Sequence, residues 1–170
     1  YMISLKYPLE EVPENTEACY MKPLYKEAYG FENEVSLLGI DSDNPYFDFM
    51  PETGQTRVTM SSSAANKFRL RGGDVLVLSD QMEGRDYEFT VDKIVAYSPG
   101  MFVFMELDSM RQLFGQKENA YNVLLSDWMP EVAEERLYAI TAKEDILEYA
   151  SIYMENMAPM MSMIIIASIC

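Results

Sequence analysis

Short runs of alternating apolar residues, separated by turn signals, follow one another along residues 1–126. Alternation with a period of two is typical of strands that bury one face. The turn signals are short polar side chains, glycines and prolines, as in Asp41-Ser42-Asp43-Asn44-Pro45 and Ser98-Pro99-Gly100. The pattern predicts strands at 1–7, 18–26, 35–40, 57–60, 75–78, 87–95, 101–105 and 121–125.

Two helices are predicted among these strands. Ser61-Ser62-Ser63 supplies an N-cap for a helix through Leu70, and Gly72-Gly73-Asp74 ends that helix because glycine accepts a left-handed conformation. Asp108 caps a second, shorter helix that ends at Phe114-Gly115. The chain of 170 residues is long enough for one domain of ordinary size. The element order predicts an α+β fold, a mixed or antiparallel sheet with helices packed on it.

Composition excludes several classes of function. The chain has no histidine, so it assembles no Ser-His-Asp or Cys-His machinery and no zinc site that needs an imidazole. Lys plus Arg number 13 against 28 Asp plus Glu, a formal charge of −15 that argues against a nucleic-acid partner. The two cysteines, Cys19 and Cys170, form no C-x-x-C motif for metal or redox chemistry.

The periodicity becomes helical from about residue 143. An apolar seam runs along this segment, formed by Leu147, Ala150, Met154, Met157 and Met161. Residues 157–170 carry no charge. The run is shorter than the roughly 20 residues that span a bilayer. Two interpretations stay open: a buried C-terminal helix, or the first part of a transmembrane helix entered from a soluble stalk, which the loss of the polar face favours.

The motifs that suggest chemistry have simpler structural explanations. Asp41-Ser42-Asp43-Asn44 and Glu52 have part of the spacing of an EF-hand, but Pro45 and Tyr46 occupy positions that need an oxygen ligand and a glycine. We therefore expect a turn at 41–45. Ser63 and Lys67 are one residue too far apart for the S-x-x-K nucleophile motif, and helix capping explains the serines.

Two further motifs are interpreted as structural. Arg71-Gly72-Gly73-Asp74 lacks the lysine-threonine completion of a phosphate loop and closes a helix rather than opening one, so we expect a turn. Trp128, the only tryptophan, stands close to Pro130 and is predicted to be a packing anchor under a loop. We predict no catalytic, cofactor-binding or metal-binding residue, and therefore no enzyme.

Four blocks of the sequence together resemble a known family. The resemblance covers roughly residues 35–126, and its blocks are 35–47, 58–78, 89–95 and 103–123, with the Gly73-Asp74 turn in the second. In this order they are similar to the extracytoplasmic domain of FtsX-like (MacB-type) ABC transporter permeases. Asp92-Lys93 stands where that family usually has glycine. The segment Gly39-Ile40-Asp41-Ser42-Asp43 looks like relatives from Gram-positive bacteria.

The resemblance implies an organisation and a function. Residues 1–142 would be an extracytoplasmic α+β domain, and 143–170 a stalk helix that runs into the start of a transmembrane helix. The permease would lie in the cell membrane of a Gram-positive bacterium and work with a separate cytoplasmic ABC ATPase subunit in transport or mechanotransmission. Its outer domain would engage a peptide, a lipid or an envelope protein, with no cofactor and no catalytic residue of its own.

Two alternatives come from other classes of protein. A free-standing cell-surface binding module would bury the C-terminal helix in its core, so that deleting 157–170 would unfold it. A hydrolase that works without histidine would need a cleft with two carboxyl groups of strongly raised pKa.

Overall fold

The computed structural model describes residues 1–97 and 99–142 of the chain. The described residues form nine strands and two α-helices, with a short 3-10 turn at Glu134–Arg136. The strands are β1 (Met2–Leu5), β2 (Glu17–Ala28), β3 (Phe31–Ile40), β4 (Arg57–Ser61), β5 (Val75–Asp80), β6 (Arg85–Val95), β7 (Phe102–Glu106), β8 (Val123–Leu125) and β9 (Leu137–Thr141). The helices are α1 (Ser62–Phe68) and α2 (Leu107–Leu113).

Six of the strands close into a barrel. The order around the ring is β2, β3, β7, β4, β6 and β5, and β5 returns to β2 through the pair Tyr25 and Ser79. The pairs β3–β7 and β4–β6 are parallel, and the other pairs of the ring are antiparallel. Closure depends on the length of β2, which pairs with β3 over nine residues and meets β5 on its other edge.

The predicted α+β fold, a mixed or antiparallel sheet with helices packed on it, is therefore wrong. The chain is mostly strand, and its two helices have seven residues each, too few to cover a sheet. Both helices instead add side chains to the core that the barrel encloses. Ala64, Ala65 and Phe68 of α1 and Met110 of α2 belong to one cluster with Leu24, Leu37, Val58, Leu76 and Phe89 of the strands.

The remaining three strands form a wing on the barrel. β8 pairs with the first residues of β2, β1 pairs with β8, and β9 pairs with β1, all antiparallel. The wing has a small core of its own around Ile3, Leu5, Tyr121 and Leu124. The strand β9 was not predicted, because four of its five residues are exposed and it shows no clear apolar alternation.

A proline is tolerated in β2 because it lies where one edge of that strand has no strand partner. On this edge β2 pairs with β8 at 17–19 and with β5 at Tyr25. In the gap between them the Asn122 side chain accepts a hydrogen bond from the Met21 N–H (2.7 Å) and donates one to the Met21 carbonyl (2.8 Å). Because backbone polar groups alternate in direction along a strand, the nitrogen of Pro23 faces the same gap, where no ladder N–H is needed.

Helix boundaries are partly as predicted. Ser61 caps α1, and its hydroxyl accepts from the Ala64 N–H. The helix ends before the glycines, because Arg69 itself adopts the left-handed conformation at φ 54°. Glu106, and not Asp108, caps α2 by accepting from the N–H groups of residues 108 and 109.

The predicted C-terminal helix over 143–170 and its continuation into a membrane lie outside the described residues. Within the described part of the chain, no helix has the length and apolarity to cross a membrane.

Candidate functional site

The structure places the motifs of the sequence in turns and caps. Residues 41–44 form a turn in which the Asn44 N–H donates to the Asp41 carbonyl, as predicted. The Asp74 carboxylate accepts from the Arg71 N–H at 2.8 Å, so 71–74 also closes as a turn. Trp128, which was predicted to be a packing anchor under a loop, is 45% exposed.

Neither a thiol nor a metal site offers chemistry in the described residues. No group of three or more His, Cys, Asp or Glu that could hold a metal ion occurs among them. Burial raises the pKa of Cys19 to about 12, with a smaller contribution from the charge of Glu17, so the group is held as a neutral thiol. Burial, followed by the charges of Asp41 and Asp43, also raises the pKa of Glu17.

A partly buried ion pair lies at the seam where the barrel closes. Lys22 of β2 and Asp80 of β5 approach to 2.8 Å, and the side chain of Asp80 is 4% exposed. The other Asp80 oxygen accepts from the N–H groups of residues 82 and 83 in the β5–β6 turn. The Lys22 ammonium also lies 5.0 Å from the centre of the Phe114 ring. Because the β2–β5 ladder of the described structure consists of the single pair Tyr25 and Ser79, these contacts reinforce the seam.

The outer surface of β3, β2, β5 and β6 carries exposed side chains in the described part of the structure, and we call it the acidic sheet face. Side chains alternate along a strand, so residues opposite the buried Leu24, Leu76 and Leu78 point outward. The outward carboxylates are Glu27, Glu32, Glu34, Asp86 and Glu88, and all five residues are exposed. Tyr25, Val75, Val77 and Ser79 lie between them on the same face.

The register defines the rows of this face. Tyr25 pairs with Glu34 on one side and with Ser79 on the other, and Ser79 pairs with Asp86. In the next row Glu27 pairs with Glu32, and Val77 pairs with Glu88. Lys93 of β6 is exposed but lies beyond these rows, where it pairs with Thr59 of β4. The rows themselves contain no Lys or Arg, because alternation places Lys26 and Arg85 on the inner side. There they lie over the rings of Phe68 and Tyr87.

The electrostatic field of the face is negative. The charge of Glu34, followed by burial and the hydrogen bond to the same carboxylate, raises the pKa of Tyr25. Glu27 and Glu32 are direct cross-strand partners, an arrangement of like charges that destabilises a sheet. A sequence signal for part of this face exists, because Glu32 and Glu34, and Asp86 and Glu88, recur with a period of two. That the two pairs share one surface depends on the barrel topology.

The chain enters and leaves the described structure at neighbouring points. β1 and β9 are antiparallel, and their partners include Met2 with Thr141 and Ile3 with Ile140. Directly paired residues of an antiparallel ladder have Cα atoms about 4.5–5.5 Å apart. The first and last strands of the structure are therefore hydrogen-bonded to one another.

The comparisons with known proteins find similar chains among solved structures only. No family model matches the sequence, and no curated protein matches it. Among solved structures, the chain is similar to the extracellular domain of the noncanonic ABC-type transporter YknZ from Gram-positive bacteria. The sequence identity is 15% and the TM-score is 0.46, over 85% of this chain and 86% of that chain. The likeness is therefore to an extracellular domain of an ABC transporter, at the level of overall outline.

Proposed function

We propose that residues 1–142 are the extracytoplasmic domain of an ABC transporter permease, inserted between two transmembrane helices. The order of the sequence blocks at 35–126 supports the class of protein. The pairing of β1 with β9 is the structural observation on which the proposal rests, because a domain whose ends are adjacent can be inserted into a longer chain without separating the segments that flank it.

The proposal assigns a role to the uncharged run at 157–170. In this scheme the segment after β9 is the stalk, and the run that follows is the start of the second transmembrane helix. The first transmembrane helix precedes β1. A cytoplasmic ATPase partner would move these two helices relative to one another. Because β1 and β9 are joined by a ladder, such a movement would reach the barrel through β8 and β2.

Labelling in intact cells tests which side of the membrane the domain occupies. Met82, at the β5–β6 turn, is 97% exposed, and a Met82→Cys substitution adds an accessible thiol to a Cys170→Ser background, whereas Cys19 is buried. We expect a membrane-impermeant maleimide to label the full-length protein before lysis. The Cys170→Ser parent is the control and should stay unlabelled. Labelling that appears only after permeabilisation would contradict an extracytoplasmic domain.

Purification from the membrane tests the ATPase partner. The full-length protein, extracted in mild detergent, should carry an ATPase subunit and ATP hydrolysis with it. If the protein is labelled from outside but the preparation hydrolyses no ATP, the extracytoplasmic location stands and the assignment to an ABC transporter is contradicted.

Truncation separates the permease from the binding-module alternative. The buried clusters of the described residues draw their members from residues 3–125. Under the proposal 157–170 belongs to a membrane helix, so we expect its deletion to leave the midpoint of thermal unfolding of the domain unchanged. A free-standing module with a buried C-terminal helix would lose its fold in the same experiment.

A further inference from the structure

We propose that the acidic sheet face is a docking surface for a cationic amphipathic polypeptide segment, whose aliphatic side chains pack on Val75 and Val77 while its Lys or Arg side chains reach the surrounding carboxylates. The inference deepens the proposed function, since it names the class of ligand that the extracytoplasmic domain would engage.

The face combines charge with exposed apolar area. Val75 is 50% exposed and Val77 is 38% exposed, and both point outward from β5 into the middle of the face. Tyr29 continues the outer side of β2 beyond these rows, at the turn into β3, and is also exposed, with the Arg69 guanidinium 5.6 Å from its ring centre. Aliphatic groups placed between charges give the face the composition that an amphipathic partner would contact.

The carboxylates of the face have no cationic partner within the described part of the protein. The salt bridges there are Lys22–Asp80, Arg57–Asp92 and Arg111–Asp108, and none of them involves this face. The direct opposition of Glu27 and Glu32 costs folding stability. A cation bound between them would replace this repulsion by attraction. The arrangement therefore favours the complex with a positively charged ligand over the free protein.

The spacing selects a polypeptide rather than a single ion. Glu34 and Asp86 lie on the outer two of four adjacent strands, which places them about 14 Å apart at 4.7–4.9 Å per strand. One metal ion cannot bridge that distance, whereas several Lys or Arg side chains on one segment can. The net charge of −15 steers cations toward the domain and repels an anionic membrane surface.

Peptide binding to the full-length protein tests the surface. The protein is placed in discs of zwitterionic lipid, with empty discs as the blank. The probe is a fluorescent amphipathic peptide of lysine and leucine, compared with oligolysine of the same charge and with a glutamine–leucine analogue. We expect the amphipathic cation to bind at least about tenfold more tightly than either comparison peptide, because both the charges and the valines contribute.

Matched variants separate the face from the overall charge. Glu27→Gln, Glu32→Gln and Glu88→Gln together should weaken binding at least about tenfold and flatten its salt dependence. Glu10→Gln, Glu11→Gln and Glu14→Gln remove the same charge from an exposed segment outside the face and should change affinity less than about twofold. An equal loss in both triple variants, or none in either, would overturn the proposal, as would preferential binding of the domain to anionic vesicles.

Stability provides an independent readout of the same variants. Glu27→Gln alone should raise the thermal midpoint, since it removes a like-charge pair, while it lowers peptide affinity. A variant that loses affinity and stability together would indicate damage to the fold and contradict a binding role for Glu27. External labelling at residue 82 without peptide binding would contradict the proposed docking surface but not the proposed permease.

Discussion

At the scale of single residues, the ion pair at the barrel seam makes a definite contribution to stability. Asp80→Asn keeps an oxygen for the N–H groups of the β5–β6 turn but removes the charge that faces Lys22. We expect a loss of about 2 kcal/mol in the free energy of unfolding, between the values for exposed and fully buried pairs. Urea denaturation measures it, and Asp108→Asn, at the exposed partner of Arg111, should cost less than about 1 kcal/mol.

The same pair predicts a dependence of stability on pH. The hydrogen bond from Lys22 lowers the pKa of Asp80 relative to its usual value, against the opposing effect of burial. A lowered folded-state pKa gives stability that is present above the unfolded value of about 3.9 and is lost as the pH falls through the folded value. The difference between the parent and Asp80→Asn should therefore shrink below about pH 4. A difference that stays constant down to acid unfolding would contradict the ion pair.

Cys19 gives a second prediction at this scale. The thiol is buried and its pKa is raised to about 12, so the thiolate that reacts with maleimides is scarce and shielded. In the Cys170→Ser variant we expect no alkylation of native protein over hours at pH 8 and rapid alkylation in denaturant. Mass spectrometry of the whole protein checks this. Prompt reaction in native buffer would show that β2 opens locally at Cys19.

At the scale of elements, the close approach of α2 to β3 explains a glycine in the sequence. A Cβ added at Gly39 would lie 2.9 Å from the Met110 sulfur and 3.2 Å from a methyl group of Leu107. We expect Gly39→Ala to destabilise the protein by about 1–3 kcal/mol through overpacking. The double variant Gly39→Ala with Met110→Ala should lose less stability than the sum of the losses in the two single variants, which a double-mutant cycle measures. Additive effects would contradict direct contact.

The elements were largely predictable from the sequence, whereas the way they close was not. The strand patterns are local, so alternation and a continuous apolar run at 75–78 predicted β1 to β8, and residue type predicted the cap at Ser61. The closing pair, Tyr25 with Ser79, joins residues far apart in sequence, and no local pattern reports it. The acidic sheet face could not be predicted for the same reason. Glu34 and Asp86 lie on one surface only because β2 and β5 pair between their strands.

At the scale of the whole molecule, the wing and the acidic sheet face have different proposed roles. The wing holds the two ends of the domain together, and the acidic sheet face includes the second half of β2, away from the segment at 17–19 that pairs with the wing. The shared strand β2 connects them: its first residues pair with β8, and Tyr25 and Glu27 belong to the face. A displacement of β1 and β9 by membrane helices would thus be transmitted along one continuous strand to the ligand surface.

A disulfide across the wing tests this arrangement of the chain ends. Ser4 and Ala139 are direct partners in the β1–β9 ladder, and their Cα separation of about 4.5–5.5 Å lies in the range that a disulfide needs. In a Cys170→Ser background, Ser4→Cys with Ala139→Cys should oxidise readily. Because the loop between the two positions is long, the oxidised form should unfold with about 4 kcal/mol more free energy than the reduced form, as urea denaturation measures.

The matched control for this disulfide is Ser4→Cys with Ile140→Cys. Ile140 pairs with Ile3 and points to the opposite face of the wing, so this pair should stay reduced under the same conditions. If the first pair oxidises in the full-length protein in its membrane as well, both ends of the domain lie together in the assembled permease. Equal oxidation of both pairs would indicate a frayed wing, and failure of the first pair would remove the structural basis for inserting this domain between two membrane helices.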